Sequence, residues 1–249
     1  MSGLTELAGK TALVTGGAKR LGAAVVRMLA NRGVHCVVHF RDSSTEARVL
    51  AEELRDANVS VYLVQGDLSQ PDEASRVWDD AVAQAGTIDF LINSASIFPE
   101  GTLADLSVDT LQENVNVNAM SPLYLTRKFA ATGCAGVVVN FLDTMVRDYD
   151  KKHVAYHVSK KMLHDLTRMT AVEYAPRLRV NAVAPGLVLP PAGKDETYLE
   201  GLKHSNPLQN FGSAEQITHA VAFLLTNEFI TGQTIYVDGG RNLRGSMYE

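Results

Sequence analysis

The chain has 249 residues, 46% hydrophobic and 20% charged, a composition typical of a globular protein and unlike that of a disordered chain. Its formal net charge of −5 argues against nucleic-acid binding, which usually depends on a basic face, but still allows a local basic pocket for a small anion. The sequence lacks an apolar run near the roughly 20 residues that cross a bilayer, and it lacks a signal-peptide pattern, so we expect a cytoplasmic protein without membrane contacts.

Short apolar runs alternate with longer amphipathic stretches along the chain. In chain order, the predicted strands cover 11–15, 35–40, 59–64, 88–93, 136–142, 179–184 and 233–238. The predicted helices cover 20–32, 44–57, 71–85, 107–131, 155–174 and 213–226. Continuous runs of Val, Ile and Leu indicate strands buried on both faces, and regular strand–helix alternation indicates βαβ units. We therefore predict one α/β domain over 1–249, with a doubly wound parallel sheet of about seven strands and helices on both faces.

One irregular stretch interrupts this alternation, at about 186–206, and it contains a Pro-Pro pair. It follows a late strand, where parallel sheets bind their ligands. A flap over a ligand and a plain surface loop would both have this composition. We expect 187–206 to be the region of a substrate loop.

The first strand runs into the glycine-rich segment TGGAKRLG and then into a helix. Gly16 and Gly22 would let the backbone approach a pyrophosphate, which the N–H groups of the following helix would bind. An ordinary strand–helix turn can also contain such glycines, but this one follows the first strand and opens an amphipathic helix. Lys19 and Arg20 in the same turn are either a solvated basic pair or cations for the phosphates.

The second strand ends in HFRDSS, at the position where dinucleotide enzymes select their cofactor. Arg41 and Ser43 favour the 2′-phosphate of NADPH, whereas Asp42 between them favours the free ribose hydroxyl of NADH. Because Lys19 and Arg20 add further positive charge, the sequence predicts NADPH.

A carboxylate ends the fifth apolar run, VVVNFLDTM, and Asp143 is that residue. Thirteen residues later, YHVSK places Tyr156 and Lys160 four apart on one face of a helix. Two surface residues at this spacing are common, but their distance from a polar residue at a strand end is typical of a catalytic site. We expect the Lys160 ammonium to lower the pKa of Tyr156, so that the phenol can donate or relay a proton.

Six short motifs stand in one order: TGGAKRLG, GDL at 66–68, NSAS at 93–96, VNVNA at 115–119, YHVSK and APG at 184–186. In the type and order of these motifs, the chain resembles the short-chain dehydrogenase/reductase family over nearly its whole length, from Thr11 to Gly240. The resemblance implies a Rossmann-type sheet, a nicotinamide cofactor, a small-molecule substrate and a homotetramer.

The departures from the family pattern are more specific than the matches. Arg20 replaces the middle glycine of the turn, Ser94 and Ser96 replace Asn and Gly, and Asp143 replaces the usual catalytic serine. With Phe98 shortly after NSAS, these features resemble the pteridine reductases. DKKHVAY before the YHVSK motif and VDGGRNLR near the C-terminus resemble the bacterial dihydromonapterin reductase branch.

The resemblance also implies individual site residues. Asn118 would hold a relay to Lys160, although it could instead kink or cap a buried helix, and Asp67 would accept a hydrogen bond from the adenine amino group. The implied cofactor-binding positions are Gly16, Lys19, Arg20, Leu21, Gly22, Phe40, Arg41, Ser43, Asp67, Leu68, Asn93, Ser94, Ala95, Tyr156, Lys160, Pro185, Gly186 and Val188. The implied substrate-binding positions are Arg20, Ser96, Phe98, Asp143, Tyr156 and Leu187.

The acid at position 143 indicates the kind of substrate. An ionised carboxylate cannot donate a hydrogen bond to a carbonyl oxygen and would repel a developing alkoxide. It suits a heterocycle that presents N–H groups or a ring nitrogen that must receive a proton, as a pterin does. Phe98 would stack on one face of that ring, or simply cover the loop, and Arg20 could reach both the phosphates and a pterin carbonyl.

Metal binding has little support in the sequence. His153 and His157 are four apart, but a third ligand is not evident and Lys151 and Lys152 add positive charge nearby, so we expect them to be solvated. The two cysteines, at 36 and 134, show no metal-ligand spacing and are expected to be reduced thiols.

The sequence therefore predicts NADPH-dependent reduction of a pteridine C=N bond, in a dihydropterin or dihydromonapterin and in dihydrofolate as a further candidate. Two alternatives stay open. The first is a reductase of the same fold that acts on a carbonyl or another imine. The second is a protein that senses NADPH or scaffolds partners without turnover, which the loss of the serine favours and the retention of Tyr156, Lys160 and Asn118 opposes.

Overall fold

A computed structural model describes residues 6–191 and 193–243, and in these ranges seven strands form one sheet. The strands are β1 (Thr11–Thr15), β2 (His35–Phe40), β3 (Val61–Gln65), β4 (Phe90–Asn93), β5 (Gly136–Phe141), β6 (Leu178–Pro185) and β7 (Thr234–Val237). Their order across the sheet is β3-β2-β1-β4-β5-β6-β7, and every neighbouring pair is parallel. The predicted doubly wound parallel sheet is confirmed.

Eight helices connect the strands over the described residues. They are α1 (Arg20–Ala30), α2 (Ser44–Glu53), α3 (Pro71–Ala85), α4 (Val108–Val115), α5 (Ser121–Ala131), α6 (Val154–Glu173), α7 (Glu196–Leu202) and α8 (Ala214–Thr226). Of these, none is both long and apolar enough to cross a bilayer.

The helices cover both faces of the sheet, because successive strand side chains point in opposite directions. Ala12 and Val14 of β1 pack in one apolar cluster with buried residues of α1, α2 and α8. Leu13 lies in a second cluster with residues of α3, α5 and α6. A strand buried on both faces explains why β1, TALVT, shows no alternation of polar and apolar residues.

The predicted helix 107–131 is interrupted in the middle. A π-helical turn, Asn116–Met120, separates α4 from α5, and the Ser121 N–H binds the Asn116 carbonyl five residues back. Pro122 has no N–H, and its ring would clash with the carbonyl of Asn118 in a regular helix. The wider turn relieves that conflict, and it lies at a predicted catalytic residue, where such turns are frequent.

The stretch at 186–206 is not wholly irregular. It contains α7, which begins after Asp195, whose carboxylate accepts a hydrogen bond from the Thr197 N–H. An aspartate in that position satisfies a free N–H at the helix start, which explains why a helix forms in a region that composition alone marks as a loop. In the described part of 187–206, irregular backbone is therefore followed by α7 and a single 3-10 turn, Lys203–Ser205.

Candidate active site

The glycine-rich turn joins β1 to α1 with a tight backbone. Gly16 has φ +61°, and a Cβ there would lie 2.8 Å from the Ala95 Cα after β4. A Cβ on Gly22 would collide with the Gly16 carbonyl. Lys19, which precedes α1, makes no side-chain cap hydrogen bond, so the first N–H groups of the helix are suited to binding an anion.

Arg20 is held in an unusual position. Its φ of +53° belongs to the left-handed region, which explains why the family pattern has glycine there. Its Nη2 donates a hydrogen bond to the Pro190 carbonyl at 2.7 Å. The side chain thereby connects the glycine-rich turn to the segment after β6 while it still lines the cleft, and its predicted contacts with phosphates and a pterin carbonyl stay a prediction.

His39, near the end of β2, binds the glycine-rich turn, and it was not predicted as a site residue. Its Nδ1 accepts a hydrogen bond from the Gly16 N–H at 3.2 Å, and its Nε2 lies 3.0 Å from the Gly66 carbonyl, which needs an N–H there. Burial lowers the pKa of His39 to about 4, so the ring is neutral and can serve as donor and acceptor at once. Only the burial of the ring distinguishes it from an ordinary strand residue.

The predicted cofactor-selecting residues carry exposed ion pairs. Arg41 Nε lies 2.7 Å from the Asp42 carboxylate, and Lys19 Nζ lies 2.7 Å from Glu46. Exposed pairs of this kind contribute little to stability, so a phosphate could displace either carboxylate at small cost. Asp67 accepts a hydrogen bond from the Ser69 N–H at 2.9 Å through one oxygen.

Two adjoining cavities form a cleft at the carboxyl ends of the strands. Their volumes are about 200 and 450 Å³, and five residues line both: Gly16, Lys19, Ser43, Ala95 and Ser96. The cleft crosses the sheet where β1 meets β4 and the strand order reverses, which is where open α/β sheets bind ligands. An elongated cleft of this kind matches a dinucleotide with a second molecule at one end.

Most predicted site residues line this cleft. They are Gly16, Lys19, Arg20, Leu21, Gly22, Phe40, Arg41, Ser43, Asp67, Leu68, Ser94, Ala95, Ser96, Phe98, Asp143, Tyr156, Lys160, Pro185, Gly186 and Val188. Three others, Asn93, Asn118 and Leu187, are not among the lining residues.

The three lie elsewhere for separate reasons. Asn93 is buried and donates to the Asn140 side chain at 2.8 Å. The Asn118 side chain is fully buried and binds both backbone groups of Ile97, at 3.0 and 3.1 Å, so it shapes the loop between β4 and Phe98. Leu187 lines a different cavity, of about 560 Å³, together with residues that follow β7.

Asp143 follows β5 and faces the cleft. One carboxylate oxygen accepts a hydrogen bond from the Met145 N–H at 2.7 Å, and the other accepts one from the Tyr156 hydroxyl at 3.0 Å. The short turn after the strand and the first part of α6 thus bring the predicted pair into direct contact, although thirteen residues separate them. An oriented carboxylate beside a phenol can accept hydrogen bonds from a ligand and exchange a proton with it.

The pKa of Tyr156 is opposite to our expectation. Burial and the negative charge of Asp143 raise it well above its ordinary value. Lys160 Nζ lies 5.7 Å from the centre of the Tyr156 ring and donates a hydrogen bond to the Phe141 carbonyl at 2.7 Å. Tyr156 therefore keeps its proton and acts as a hydrogen-bond donor to Asp143.

Lys160 should set the alkaline limit of activity. The side chain is 2% exposed, and burial lowers its pKa to about 8, against a smaller opposite effect of Asp143. Because the protonated form is lost as pH rises through that value, we expect kcat/KM to fall above about pH 8. A pH profile of wild type and Lys160→Arg would test this, since arginine stays charged and should remove the alkaline decline. An unchanged decline in Lys160→Arg would assign it to another group.

Asp238 anchors the turn that carries Asp143, and it too was missed. Its carboxylate accepts a hydrogen bond from the Thr144 hydroxyl and another, at 2.8 Å, from the Asn242 N–H. The Thr144 N–H binds the Pro185 carbonyl at 3.2 Å. These hydrogen bonds connect the turn at Asp143 to the end of β6 and to the segment after β7. Because the segments are far apart in the chain, local sequence patterns do not reveal the connection.

Phe98 borders the cleft and is 49% exposed. Its ring packs edge-on against Tyr156, with centroids 4.5 Å apart at 87°, and lies parallel to His153 at 3.8 Å and 12°. His157, which we expected to be solvated, is buried because α6 turns it inward. In the described ranges, no group of three or more His, Cys, Asp or Glu side chains is arranged to hold a metal ion.

Comparisons with known proteins agree with this geometry. A family model described as enoyl-(acyl carrier protein) reductase matches residues 16–242. An uncharacterized oxidoreductase of Mycobacterium tuberculosis is 30% identical over 246 residues, which cover 93% of this chain and 91% of the relative. The 3-oxoacyl-(acyl-carrier-protein) reductase FabG of Staphylococcus epidermidis is 27% identical over 239 residues, with coverage of 93% and 98%.

Solved structures show the same architecture. FolM alternative dihydrofolate reductase 1 from Brucella canis, crystallised with NADP, is 32% identical with a TM-score of 0.90, and the match covers 96% of each chain. A blue fluorescent protein from a metagenomic library, in complex with NADPH, is 28% identical with a TM-score of 0.88, over 95% of this chain and 99% of that one.

Proposed function

The chain belongs to the short-chain dehydrogenase/reductase family, and from this premise we propose that it uses NADPH to reduce a C=N bond of a pteridine ring. The substrate would be a dihydropterin or dihydromonapterin, reduced to the tetrahydro form, with dihydrofolate as a further substrate. The observation that best supports this proposal is the hydrogen bond from the Tyr156 hydroxyl to Asp143 at the cleft, which Phe98 also lines. We further propose a single catalytic domain over 1–249 that works as a cytoplasmic homotetramer.

The residues of the cleft fit a dinucleotide. The turn at Gly16 has no room for a Cβ, the N–H groups at the start of α1 lack a side-chain cap, and Lys19 and Arg41 supply positive charge. The FolM proteins of similar structure were crystallised with NADP. Bound NADPH supplies the hydride. In this proposal Lys160 holds the nicotinamide ribose, and the backbone at Pro185 and Gly186 holds the nicotinamide amide.

The choice of NADPH over NADH rests on Arg41 in this proposal. We expect Arg41→Ala to weaken NADPH binding about 10- to 100-fold, because a charge-assisted hydrogen bond to the 2′-phosphate is lost, and to change NADH binding less than about twofold. Titration calorimetry with both cofactors measures the difference. Asp42→Asn is the matched control, since it frees Arg41 from its partner and should leave NADPH binding equal or tighter. An equal loss for both cofactors in Arg41→Ala would place the phosphate site elsewhere.

The chemistry of Asp143 favours a nitrogen heterocycle over a carbonyl compound as the substrate. Relatives such as FabG are named for reduction of an oxoacyl group, for which the family's serine can donate a hydrogen bond to the carbonyl oxygen. Here the carboxylate already accepts from the Met145 N–H and the Tyr156 hydroxyl, so it is oriented as an acceptor. A ring that presents N–H groups complements such an acceptor, whereas a developing alkoxide would be repelled.

The proton for the ring nitrogen passes through Asp143 in this scheme. The C=N carbon would receive the hydride, and Asp143, after taking up a proton from solvent, would pass that proton to the neighbouring nitrogen, so that one NADPH and one H⁺ are consumed for each ring reduced. Tyr156 keeps its own proton because its pKa is raised, and its hydrogen bond fixes the carboxylate between transfers. Phe98 would cover the face of the pterin that the nicotinamide does not.

Substrate assays test the proposal directly. NADPH consumption should be rapid with a dihydropterin, slower with dihydrofolate and weak with a panel of ketones. Faster turnover of ketones would favour the carbonyl reductase, and tight NADPH binding without turnover of any of these compounds would favour a sensing protein.

A further inference from the structure

A second polar cluster lies next to Phe98 and is formed by Asp150, His153 and His157. His153 Nδ1 lies 2.9 and 3.0 Å from the two carboxylate oxygens of Asp150, and His157 Nε2 lies 3.1 Å from one of them. Burial raises the pKa of Asp150, but hydrogen bonds from His157, His153 and the Lys152 N–H outweigh that effect, and its pKa lies below the ordinary value. Asp150 is therefore ionised near neutral pH and binds two imidazoles.

The imidazole of His153 covers one face of Phe98. The two rings are nearly parallel, at 12°, with their centroids 3.8 Å apart. Phe98 lines the cleft and His153 does not. The imidazole is therefore stacked on Phe98 without lining the cleft itself, while Phe98 still borders the cleft beside Tyr156.

The backbone joins the two loops that carry these rings. Gly101 and His153 form a parallel bridge: the Gly101 N–H binds the Lys152 carbonyl, and the Val154 N–H binds the Gly101 carbonyl at 3.1 Å. Because this bridge sets only the distance between the loops, the plane of the imidazole still depends on its side-chain partner. Among the described residues, the hydrogen bonds recorded for the His153 ring all go to Asp150.

We propose that Asp150 and His153 are positioning residues for substrate binding. Asp150 holds the His153 imidazole flat against one face of Phe98, and this keeps the Phe98 ring in a fixed orientation at the border of the cleft, where a flat heterocycle would bind. A half-exposed phenylalanine would otherwise lose rotational freedom each time a ligand binds, and ordering it in advance lowers that cost. The nature of the heterocycle rests on the proposed function, whereas the stack of rings does not.

Steady-state kinetics separate this role from catalysis. We expect Asp150→Ala and His153→Leu each to raise the KM for a dihydropterin about tenfold, with kcat and the Kd of NADPH within about twofold of wild type. His153→Phe should keep KM within about twofold, because a phenyl ring can stack without a carboxylate. In the His153→Phe background, Asp150→Ala should then add little.

Matched controls exclude a general effect on folding. Asp148→Ala removes an acid from the same loop and should leave KM unchanged, because the Asp148 carboxylate accepts a hydrogen bond from the neighbouring Tyr149 N–H and, within the described ranges, from no other group. A tenfold rise in KM caused by Asp150→Ala in both backgrounds would overturn the proposal, because the carboxylate would then act without the imidazole. Loss of kcat with KM unchanged would overturn it as well.

A measurement without substrate keeps this inference separate from the proposed function. The ring protons of His153, assigned by their absence in His153→Leu, should be shifted upfield in the proton NMR spectrum by the ring current of Phe98. Phe98→Leu and Asp150→Ala should both remove that shift. If wild type fails to reduce a dihydropterin, the proposed function is wrong. The NMR shift then tests by itself whether Asp150 holds His153 against Phe98. An unshifted His153 in wild type, or a shift that survives Asp150→Ala, would overturn the inference.

Discussion

Asp143→Asn is expected to lower kcat/KM for dihydropterin reduction about 10²- to 10⁴-fold, which is the range that a positioned proton donor or acceptor supplies. The amide has nearly the shape of the carboxylate but cannot take up and deliver the proton that the ring nitrogen needs. NADPH binding should change less than about twofold, because the side chain faces the substrate end of the cleft. Steady-state kinetics and a fluorescence titration of NADPH measure the two effects separately.

Asp143→Ser is the informative companion to that variant, since it restores the residue type that is usual in the family. It should also lose dihydropterin reduction, and it should gain activity on ketones relative to wild type because a hydroxyl can donate to a carbonyl oxygen. Thr144→Ser is the matched control in the same turn, because it keeps the hydroxyl that binds Asp238. A serine variant as fast as wild type on a dihydropterin would remove the role of Asp143 from the mechanism.

Tyr156→Phe is expected to lower kcat for dihydropterin reduction by about 10²-fold or more, with NADPH affinity within about threefold of wild type. The loss follows because the hydroxyl that fixes Asp143 disappears while the ring stays in place beside Phe98. Rates measured at saturating substrate give the value.

The pH profile of this variant distinguishes two roles for the phenol. Because burial and Asp143 keep Tyr156 protonated, the decline above about pH 8 belongs to Lys160 and should persist in Tyr156→Phe. If the decline disappears, the phenol itself titrates in wild type, and its role as a constant donor is wrong. Lys160→Arg, which should lose the decline, serves as the comparison.

Local patterns were sufficient for the seven strands and for the helices between them, with the exception of α7, which no pattern predicted. Val-rich runs predicted the strands, and the helical face shared by Tyr156 and Lys160 was evident from their spacing. The tight first turn was predictable from its glycines, because Gly16 has a left-handed backbone that other residues adopt only under strain. The predicted boundaries were less accurate. For example, β4 begins at Phe90 and not at 88, and a π turn before Pro122 interrupts the predicted helix 107–131.

The sequence predicted which residues line the cleft better than it predicted the contacts that they make. Most of the expected residues line one cleft, but His39 and Asp238 were missed, since neither is unusual in type or spacing. The direction of the Tyr156 pKa shift differs from the prediction because spacing shows only which residues share a helix face, whereas burial and the neighbouring carboxylate raise the pKa. Asn118 was placed correctly on its helix, and yet its side chain binds the Ile97 backbone and does not line the cleft.

The doubly wound sheet, the glycine-rich turn and the acid, phenol and lysine could be predicted from local patterns, because periodicity, backbone freedom and residue chemistry are local properties. The contacts between distant groups came from the folded molecule: Arg20 with the Pro190 carbonyl, Thr144 with Asp238, and the Phe98 ring with His153. These contacts join segments far apart in the chain. They depend on how the layers pack and which side chains lose water, and no short stretch of sequence contains that information.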